Sequence, residues 1–456
     1  MFTIFRLIVN VTRRIIIRYH HLRPVMLLLT GYACYMLLGW IVLSLPWLHE
    51  NGNVSLIDNL FTSVSAVSTT GLTTVSTPDS YNFCGELVIL ILIQLGGLGY
   101  MTFGSFLFLI THELKLTDFR IKMSKSAFSV EEDVKVETFI GMVVIYTMLI
   151  EAAGAILLYL YFQSAGIANP AWAAIFHSVS AFCTAGFSLF NNSLEGFPAH
   201  TGINLVVAAL SLLGAMGFII IHDALMVALR QRKRLTFTSR IILYSTMWVM
   251  VIGTFLLYVG EPSCTALPAS ERFLVSFFQT MTAATTVGFN TIPIAKISVA
   301  FTFLITILMV IGASPSGTGG GLKSTTIAVL LGTIRSTLRG REHVTFGKRR
   351  IPIGRMRAAT ASVGTYVILL LFGTFLLSWI ETFELEDILF EVASALGTVG
   401  LSRGITANLS LLGKLIVITL MFVGRVGALS FGFALFGSAT VEQIIEADLE
   451  QEDVVL

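Results

Sequence analysis

The sequence predicts an all-α integral membrane fold, in which eight transmembrane helices and four re-entrant half-helices form four repeats around a central pore. Of the 456 residues, 55% are hydrophobic and only 12% are charged, whereas soluble domains carry about 25% charged residues. Apolar runs long enough for a membrane span of roughly 20 residues cover residues 25–47, 87–110, 140–161, 205–229 and 360–380. A motif that recurs four times is the second observation behind this fold class.

The recurring motif fits the pattern F-x3-[ST]-A-x2-T-x-G-[LF] at residues 61–72, 176–187, 278–289 and 390–401. Its shared glycines, which are 115, 102 and 112 residues apart, are Gly71, Gly186, Gly288 and Gly400. A single glycine of this kind is more often a small-residue contact between membrane helices. Six matched positions that recur four times at near-equal spacing favour a functional repeat instead.

Each copy of the motif lies between two apolar segments, so the repeating unit is span, half-helix, loop and span. The half-helices are too short to cross a hydrocarbon core of roughly 30 Å. Non-helical backbone at membrane depth persists only where protein or water covers it, so we expect the four loops to converge on one axis. The predicted boundaries are 25–115, 136–230, 237–339 and 357–440 for the repeats, 1–24 for an N-terminal segment and 441–456 for a C-terminal tail.

Basic residues predict the orientation of the chain in the membrane. Residues 1–24, 115–135 and 230–240 carry five Lys or Arg each, and residues 335–357 carry eight. Because Lys and Arg accumulate in cytoplasmic loops, we expect these segments and both termini on the cytoplasmic side. Two interpretations of residues 1–24 stay open: a helix lying on the inner membrane surface, or a basic flank that only directs insertion.

The Thr-x-Gly loops have a composition that suits a dehydrated cation. Backbone carbonyls in a fourfold arrangement can replace the water shell of potassium. Glycine adopts positive φ angles at little cost, which lets such carbonyls turn inward. The half-helix before each loop adds the partial negative charge of its carboxyl end.

The second span of repeat 3 is interrupted by the sequence IGASPSGTGGGLKSTT at residues 311–326. Its glycines and Pro315 cannot hold a stable helix. A simple kink is the alternative, but a kink needs only one Pro or Gly pair. We therefore predict a flexible intramembrane gating loop, whose residues are Gly312, Ser314, Ser316, Gly317, Thr318, Gly319, Gly320, Gly321 and Lys323, with Arg425 as its partner.

Arg425 is a charge within the second span of repeat 4, where insertion scales assign a cost of roughly 2.5–3.5 kcal/mol. We expect it to face the cavity below the loops and to donate to carbonyls of the gating loop; a structural pair with Glu391 is the alternative. Lys323 is expected to snorkel to the inner face, with a cavity role second. Glu151 is expected to be a satisfied buried acid, and His177 a packing residue.

These repeats resemble the bacterial Ktr/Trk and plant HKT cation transporters, and the chain is most similar to the KtrB-type membrane subunits. The resemblance implies a selectivity filter that holds K⁺ at the filter glycines and the residues before them. The implied filter residues are Thr69, Thr70, Gly71, Thr184, Ala185, Gly186, Thr286, Val287, Gly288, Thr398, Val399 and Gly400. In that family a Ser in place of the first filter glycine goes with sodium preference, so Gly71 implies potassium.

The resemblance further implies channel-like potassium uptake across the bacterial plasma membrane by the ion-conducting subunit of a regulated system. Its implied partners are a second copy of the chain, in a homodimer, and a cytosolic nucleotide-binding regulatory ring of the KtrA/TrkA type. The chain has no G-x-G-x-x-G unit or Walker loop of its own. Its basic loops suit such a ring or anionic membrane lipids. No nucleic-acid partner and no covalently bound cofactor are expected.

Two other classes of protein are weighed against this interpretation. A Na⁺-coupled or Na⁺-selective secondary cation transporter would also have repeats and broken helices, although its repeats are usually larger and fewer. A membrane enzyme is disfavoured, because no nucleophile–base pair, metal cluster or carboxylate dyad stands out. The four cysteines are scattered, which argues against a disulfide framework or a zinc site. Asn290, which follows the third filter loop, is expected at most to brace that loop.

Overall fold

The computed structural model describes residues 24–50, 52, 54–99, 136–341, 343–346 and 349–436. Within these ranges the regular secondary structure is helical apart from an isolated bridge between His49 and Tyr81 and one hairpin, in which β1 (Thr345–Phe346) pairs antiparallel with β2 (Arg349–Arg350). Three predictions fall wholly or largely outside the described residues: the surface segment 1–24, the basic segment 115–135 and the tail 441–456. The end of the predicted span 87–110 falls outside them as well.

Repeats 1 and 2 each consist of a long apolar helix, a half-helix and a second apolar helix. Repeat 1 contains α1 (Pro24–Leu43), a 3-10 turn (Pro46–Leu48), α2 (Leu56–Val67), the one-turn α3 (Thr77–Ser80) and α4 (Phe83–Leu98). Repeat 2 contains α5 (Val136–Ser164), α6 (Pro170–Phe182), α7 (Thr201–Ala215) and α8 (Phe218–Ala228). The half-helices are α2 and α6.

Repeats 3 and 4 follow the same order, with α11 and α15 as half-helices. Repeat 3 contains α9 (Phe237–Gly260), the one-turn α10 (Pro262–Thr265), α11 (Ala269–Thr285), a 3-10 turn (Ile294–Lys296), α12 (Val299–Val310) and α13 (Ser324–Leu338). Repeat 4 contains α14 (Ile353–Ile380), α15 (Leu385–Gly397), a 3-10 turn (Thr406–Asn408), α16 (Leu411–Val426) and α17 (Ala428–Phe436). Residues 311–323 interrupt the second helix of repeat 3.

The half-helices begin at residues that suit a helix N-terminus, by accepting a hydrogen bond from a free backbone amide, by fixing φ or by placing a negative charge at the positive end of the helix dipole. Ser55 caps α2 by accepting a hydrogen bond from the Asp58 amide, and α6 begins at Pro170, whose fixed φ suits the first helical turn. Acidic residues occupy the first turn of α2 (Asp58) and of α15 (Glu386 and Asp387). Carboxylates in these places interact favourably with the positive end of the helix dipole.

A glycine in the first helix of each repeat lets the half-helix pack closely against it. These glycines are Gly39, Gly154, Gly253 and Gly373. An added Cβ would press on the residue that lies eight positions before the motif glycine, which is Ser63, Ser178, Thr280 or Val392 respectively. The four repeats therefore share one packing contact as well as one motif.

Three helices are long and apolar enough to cross a membrane, and the number among the described residues rises to five if each of two bent pairs is one span. The continuous ones are Phe139–Ser164, Phe237–Gly260 and Ile353–Ile380. Large apolar side chains on their outer faces, such as Trp248, Phe255 and Phe375, are more than half exposed. An apolar exterior of this kind is what lipid contact requires.

The prediction of one continuous span over residues 205–229 is wrong. Helix α7 ends at Ala215 and α8 begins at Phe218, and the two axes differ by 92°. The chain turns at Gly217, whose φ is +86°, a value that glycine adopts easily and other residues do not. Repeat 4 bends in the same way, by 96° between α16 and α17, at Gly427 with φ +93°.

Candidate functional site

The four motif glycines meet in a closed ring. A Cβ added to Gly71 would collide with the carbonyl oxygen of Ala185 in repeat 2, beside Gly186. The same relation holds from Gly186 to the Val287 carbonyl, from Gly288 to the Val399 carbonyl and from Gly400 back to the Thr70 carbonyl. Each glycine thus abuts the carbonyl of the next repeat, and only a residue without a side chain fits at these four places.

The backbone around the ring has the same unusual conformation in all four repeats. The threonine two residues before each glycine is left-handed, with φ of 54°, 52°, 59° and 50° for Thr69, Thr184, Thr286 and Thr398. The glycines themselves have φ of 89°, 67°, 85° and 93° for Gly71, Gly186, Gly288 and Gly400. Left-handed non-glycine residues are rare and persist where their surroundings fix them. The threonines are fully buried.

Backbone hydrogen bonds turn the carbonyls of these loops toward the ring. The amides of Thr70, Ala185, Val287 and Val399 donate to the carbonyls of Ser65, Ser180, Thr282 and Ser394 at 2.8, 2.8, 3.1 and 2.8 Å. Each of these amides therefore points back at its own half-helix. The carbonyl of the same residue lies against the neighbouring repeat's glycine.

Sequence reasoning assigned no role to the Ser or Thr of the motif, yet its side chain also holds the loop in three repeats. The amides of Gly71 and Gly400 donate to Ser65 Oγ and Ser394 Oγ at 3.0 and 3.1 Å. Ser180 Oγ donates to the Phe187 carbonyl at 2.8 Å. The motif itself could have revealed this role, because only Ser or Thr occurs at this position in the four repeats.

The loop at residues 311–323 lies directly against one side of the ring. Thr318 Oγ1 and Thr184 Oγ1 share a hydrogen bond of 3.1 Å, and Thr69 Oγ1 lies 3.4 Å from the Thr318 carbonyl oxygen. Added Cβ atoms at Gly319 and Gly320 would collide with the hydroxyls of the other two ring threonines, Thr286 and Thr398. The loop therefore contacts all four repeats at the axis.

The same loop is anchored by the broken second helix of repeat 2. Ser314 donates from its amide (3.1 Å) and from Oγ (2.6 Å) to the Ala215 carbonyl. The Thr318 amide donates to the Gly214 carbonyl at 3.1 Å. The carbonyls freed at the end of α7 thus bind the loop.

The other side of that helix break is satisfied by a single loop residue. The amide of Phe218 donates to the Ser316 carbonyl at 3.3 Å, and the amide of Ile219 donates to Ser316 Oγ at 3.2 Å. Gly217 leaves no room for a side chain, because a Cβ there would lie 2.5 Å from the Pro315 carbonyl oxygen. The interruption in repeat 3 and the bend in repeat 2 are therefore one interlocked structure.

Arg425, near the end of α16, holds the tip of the loop. Its Nη1 donates to the carbonyl of Thr318 and to Thr69 Oγ1, the latter at 2.8 Å, and its Nη2 donates to the Gly96 carbonyl. Glu391, the alternative partner, instead accepts hydrogen bonds from the Ser402 and Thr406 hydroxyls. The guanidinium thus joins repeats 1, 3 and 4 beneath the ring.

Lys323 points back at the loop. Its Nζ donates to the Gly319 carbonyl at 2.7 Å, so the ammonium group lies at the loop rather than at the snorkelling position first expected. Gly312 has a related role, because a Cβ there would collide with the Gly320 carbonyl oxygen. Together with Gly317, which approaches the Ala215 carbonyl closely, and Gly321, with φ +71°, it keeps the loop compact.

Glu151 and His177 both lie in the protein interior. Glu151 Oε2 accepts a hydrogen bond from Gln94 Nε2 at 3.1 Å, and its Oε1 lies 3.7 Å from the Cys183 Sγ. His177 is fully buried, with Nδ1 2.7 Å from the Ala173 carbonyl oxygen and Nε2 2.9 Å from Ser188 Oγ. Its contact with Ser188 reaches the segment that follows Gly186.

A polar cavity of about 380 Å³ opens on the side of the ring opposite to the loop, and all four ring glycines line it. Two charged residues, Glu195 and Arg403, line it. Arg403 donates to Glu386 at 3.1 Å, to Asp387 and to Thr302 Oγ1 at 2.6 Å. The two acids in the first turn of α15 are therefore bound by Arg403.

Asn290 braces the repeat 3 loop against repeat 2. Its carbonyl accepts from the Leu194 amide at 3.1 Å, and its amide donates to Ser193 Oγ at 3.2 Å. Its Nδ2 donates to Glu195 Oε1 at 2.6 Å and to the Ile292 carbonyl at 3.0 Å. The role that the sequence left open is thus a link between neighbouring repeats at the cavity wall.

Comparison with known proteins agrees with this architecture. A family model described as "TrkH: Cation transport protein" matches residues 39–439. The potassium/sodium uptake protein NtpJ of Enterococcus hirae is 35% identical over 428 residues, which cover 92% of this chain and 94% of that protein. The Ktr system potassium uptake protein B of Vibrio alginolyticus is 32% identical over 417 residues, 90% of each chain.

The fold also resembles a solved structure. The crystal structure of the potassium transporter TrkH from Vibrio parahaemolyticus superposes with a TM-score of 0.71 at 20% identity, and the match covers 92% of this chain and 86% of that one. At this level of identity the likeness speaks for the fold alone.

Proposed function

This chain belongs to the TrkH family of cation transport proteins, and from that premise we propose that it is the ion-conducting subunit of a regulated, channel-like potassium uptake system. It is a helical, multi-pass membrane protein and a transporter rather than an enzyme. We place it in the bacterial plasma membrane with both termini in the cytoplasm. Eight spans and four re-entrant half-helices are the proposed arrangement.

The single observation that supports the conducting role best is the closed ring of four loops. Each loop presents the carbonyl before its glycine to the next repeat, and the ring lies between a polar cavity on one side and the 311–323 loop on the other. Rings of backbone carbonyls are the usual means of replacing the hydration shell of potassium. We therefore propose the ring residues, from threonine to glycine in each repeat, as the selectivity filter.

The proposed gate is the loop at residues 311–323 together with Arg425. Thr318, Gly319 and Gly320 lie beneath the ring threonines, and we propose that they block the axis there. The loop is held by hydrogen bonds to the bend of repeat 2 and to Arg425. Opening would require these contacts to break together.

The proposed partners follow from the relatives, several of which are named as Ktr system or Trk system proteins. We propose a homodimer that binds a cytosolic nucleotide-binding ring of the KtrA/TrkA type. The basic surface around the 345–350 hairpin, which includes Arg349 and Arg350, is the proposed contact for that ring or for anionic lipid.

The experiment compares K⁺ and Na⁺ flux into liposomes that contain the purified chain and its Gly71→Ser variant. We expect the wild type to prefer K⁺ and the variant to lose that preference by roughly tenfold or more, because a Cβ at Gly71 collides with the Ala185 carbonyl and displaces a ring oxygen. Gly354→Ser is the matched control, since nothing lies within 4 Å of its Cβ. Unchanged ion preference in Gly71→Ser would remove the support for this filter.

A sodium-selective or sodium-coupled transporter is the second candidate, favoured by the name of one relative, the potassium/sodium uptake protein NtpJ. The same liposomes distinguish the two. Flux that rises linearly with K⁺ concentration supports the channel-like path, whereas early saturation with strict coupling to Na⁺ supports the carrier.

A further inference from the structure

A second polar position recurs in the half-helices, one residue after the motif phenylalanine. It is occupied by Thr62, His177, Gln279 and Glu391, nine residues before each ring glycine. All four side chains are buried, with at most 1% exposed. Buried polar side chains are normally retained for a hydrogen-bonded partner. The residue types differ among the repeats while the polarity is kept.

Three of these side chains reach the segment that follows the glycine in their own repeat. His177 Nε2 lies 2.9 Å from Ser188 Oγ, two residues beyond Gly186. Gln279 Nε2 donates to Thr291 Oγ1 at 3.2 Å, three residues beyond Gly288.

The Glu391 carboxylate makes the corresponding contact in repeat 4. Its Oε2 accepts from Ser402 Oγ at 2.8 Å, two residues beyond Gly400, and its Oε1 accepts from Thr406. In each of these three repeats one buried side chain of the half-helix thus ties down the outgoing part of the loop.

The position lies three residues before the Ser or Thr of the motif, so both face the same side of the half-helix. The motif residue binds the loop at or next to the glycine, as Ser394 does with the Gly400 amide. The second position binds the loop beyond it. In repeats 2 and 4 one helix face therefore holds the loop at two points, on either side of the carbonyls that form the ring.

We propose, resting on the potassium path proposed above, that His177, Gln279 and Glu391 are positioning residues that set the ion preference of the ring. None of them lines the cavity, so they act through the loop and not on the ion. Discrimination between K⁺ and the smaller Na⁺ depends on how the coordinating carbonyls are placed. A loop released at its outgoing end lets its carbonyl move, and discrimination falls.

Repeat 3 offers the sharpest test, because the bond can be removed from either side. Gln279→Met keeps the length of the side chain, and Thr291→Val keeps its shape. We expect each variant to lower the ratio of K⁺ to Na⁺ flux by roughly threefold to tenfold, which is the range of one hydrogen bond. The double variant should lower the ratio no further than either single variant, since both remove the same bond.

Two comparisons separate positioning from general damage. Thr280→Val alters the next residue of the same half-helix, whose hydroxyl donates only to the Ser276 carbonyl within the helix, and should keep the wild-type ratio. In repeat 4, Glu391→Gln preserves hydrogen bonding to Ser402 and Thr406 and should keep the ratio, whereas Glu391→Leu should lower it. A purely structural role would reduce the fluxes of both ions together.

The outcomes keep this inference apart from the proposed function. Wild-type liposomes that pass no K⁺ would overturn the proposed function itself. Wild-type liposomes that prefer K⁺, with Gln279→Met and Thr291→Val equally selective, would overturn only the inference. Additive effects of the two substitutions would also overturn it. If the Gln279→Met variant does not fold and insert into the membrane, the flux ratio of Thr291→Val alone tests the inference, because this substitution exchanges only a hydroxyl for a methyl group.

Discussion

The ring threonines show what individual residues contribute to this fold. Thr69, Thr184, Thr286 and Thr398 all adopt left-handed conformations, which cost roughly 1–2 kcal/mol each for a residue with a side chain. The bonds from the next amide to the half-helix carbonyl recur in every repeat and fix the conformation. Within the described residues the hydroxyls of Thr286 and Thr398 have no hydrogen-bond partner.

Arg425 is a second single residue whose contribution can be tested, through its hydrogen bonds to the loop. Arg425→Gln removes charge-assisted hydrogen bonds to the Thr318 and Gly96 carbonyls, and bonds to charged groups contribute about 1.5–3 kcal/mol each. We expect K⁺ flux through the isolated chain in liposomes to rise by roughly tenfold or more. Arg425→Lys should rise less, because it keeps the charge but loses the planar fork.

The control for this measurement is Arg335→Gln, which removes a basic residue from the last turn of α13. It should leave the flux at the wild-type level. Equal fluxes in the wild type and in Arg425→Gln would mean that Arg425 does not hold the loop closed.

The second helices of repeats 2 and 4 are bent by 92° and 96°. The bend in repeat 2 frees backbone groups on both sides of Gly217, and the loop of repeat 3 satisfies them through Ser314, Ser316 and Thr318. A helix end buried without such partners would be unfavourable. The loop is consequently a folded part of the structure, held by named bonds, and not a slack connection.

Gly217→Ala tests this interlock. The substitution places a Cβ at φ +86° and 2.5 Å from the Pro315 carbonyl oxygen, so it adds a collision to a conformational cost of about 1–2 kcal/mol. We expect a lower melting temperature in detergent and a higher K⁺ leak in liposomes. Gly166→Ala is the matched control, because φ is +72° there but nothing lies within 4 Å. Similar melting temperatures and leaks for the two variants would contradict the interlock.

The sequence predicted the features of the fold that recur in all four repeats. The fourfold motif pointed to four equivalent loops because the same glycine and threonine are needed at each. The bends at Gly217 and Gly427 were missed, because a glycine inside an apolar run does not reveal whether its φ is positive. For Asn290 the sequence suggested no more than a brace for its own loop, because its partners Ser193 and Glu195 lie in another repeat, far away in the chain.

Polar contacts connect each repeat to the next around the ring, and we call these four boundaries between repeats the seams. Lys414 of repeat 4 pairs with Asp58 of repeat 1 at 2.7 Å, and Arg403 of repeat 4 bonds to Thr302 of repeat 3. Trp172 of repeat 2 donates to Glu86 of repeat 1 at 2.6 Å. With Asn290 between repeats 2 and 3, every seam of the ring is tied.

The seam between repeats 1 and 4 can be tested by a double-mutant cycle on Lys414 and Asp58. Their side chains are only 14% and 13% exposed, so the pair should couple by about 1 kcal/mol, at the upper end of the range for exposed pairs. Lys414→Met and Asp58→Asn should each lower the melting temperature, and the double variant should lower it by less than the sum. Strict additivity would show that this pair does not close the ring.

The ring in which each glycine abuts the next repeat's carbonyl has a consequence for how such a protein changes through mutation. In a ring of four identical subunits, one altered codon alters every wall at once. Here one gene encodes all four repeats at different positions, so a substitution at Gly71 leaves Gly186, Gly288 and Gly400 unchanged. Selection can therefore change one repeat at a time, so that repeat 3 alone carries the 311–323 loop and repeat 4 alone carries Arg425.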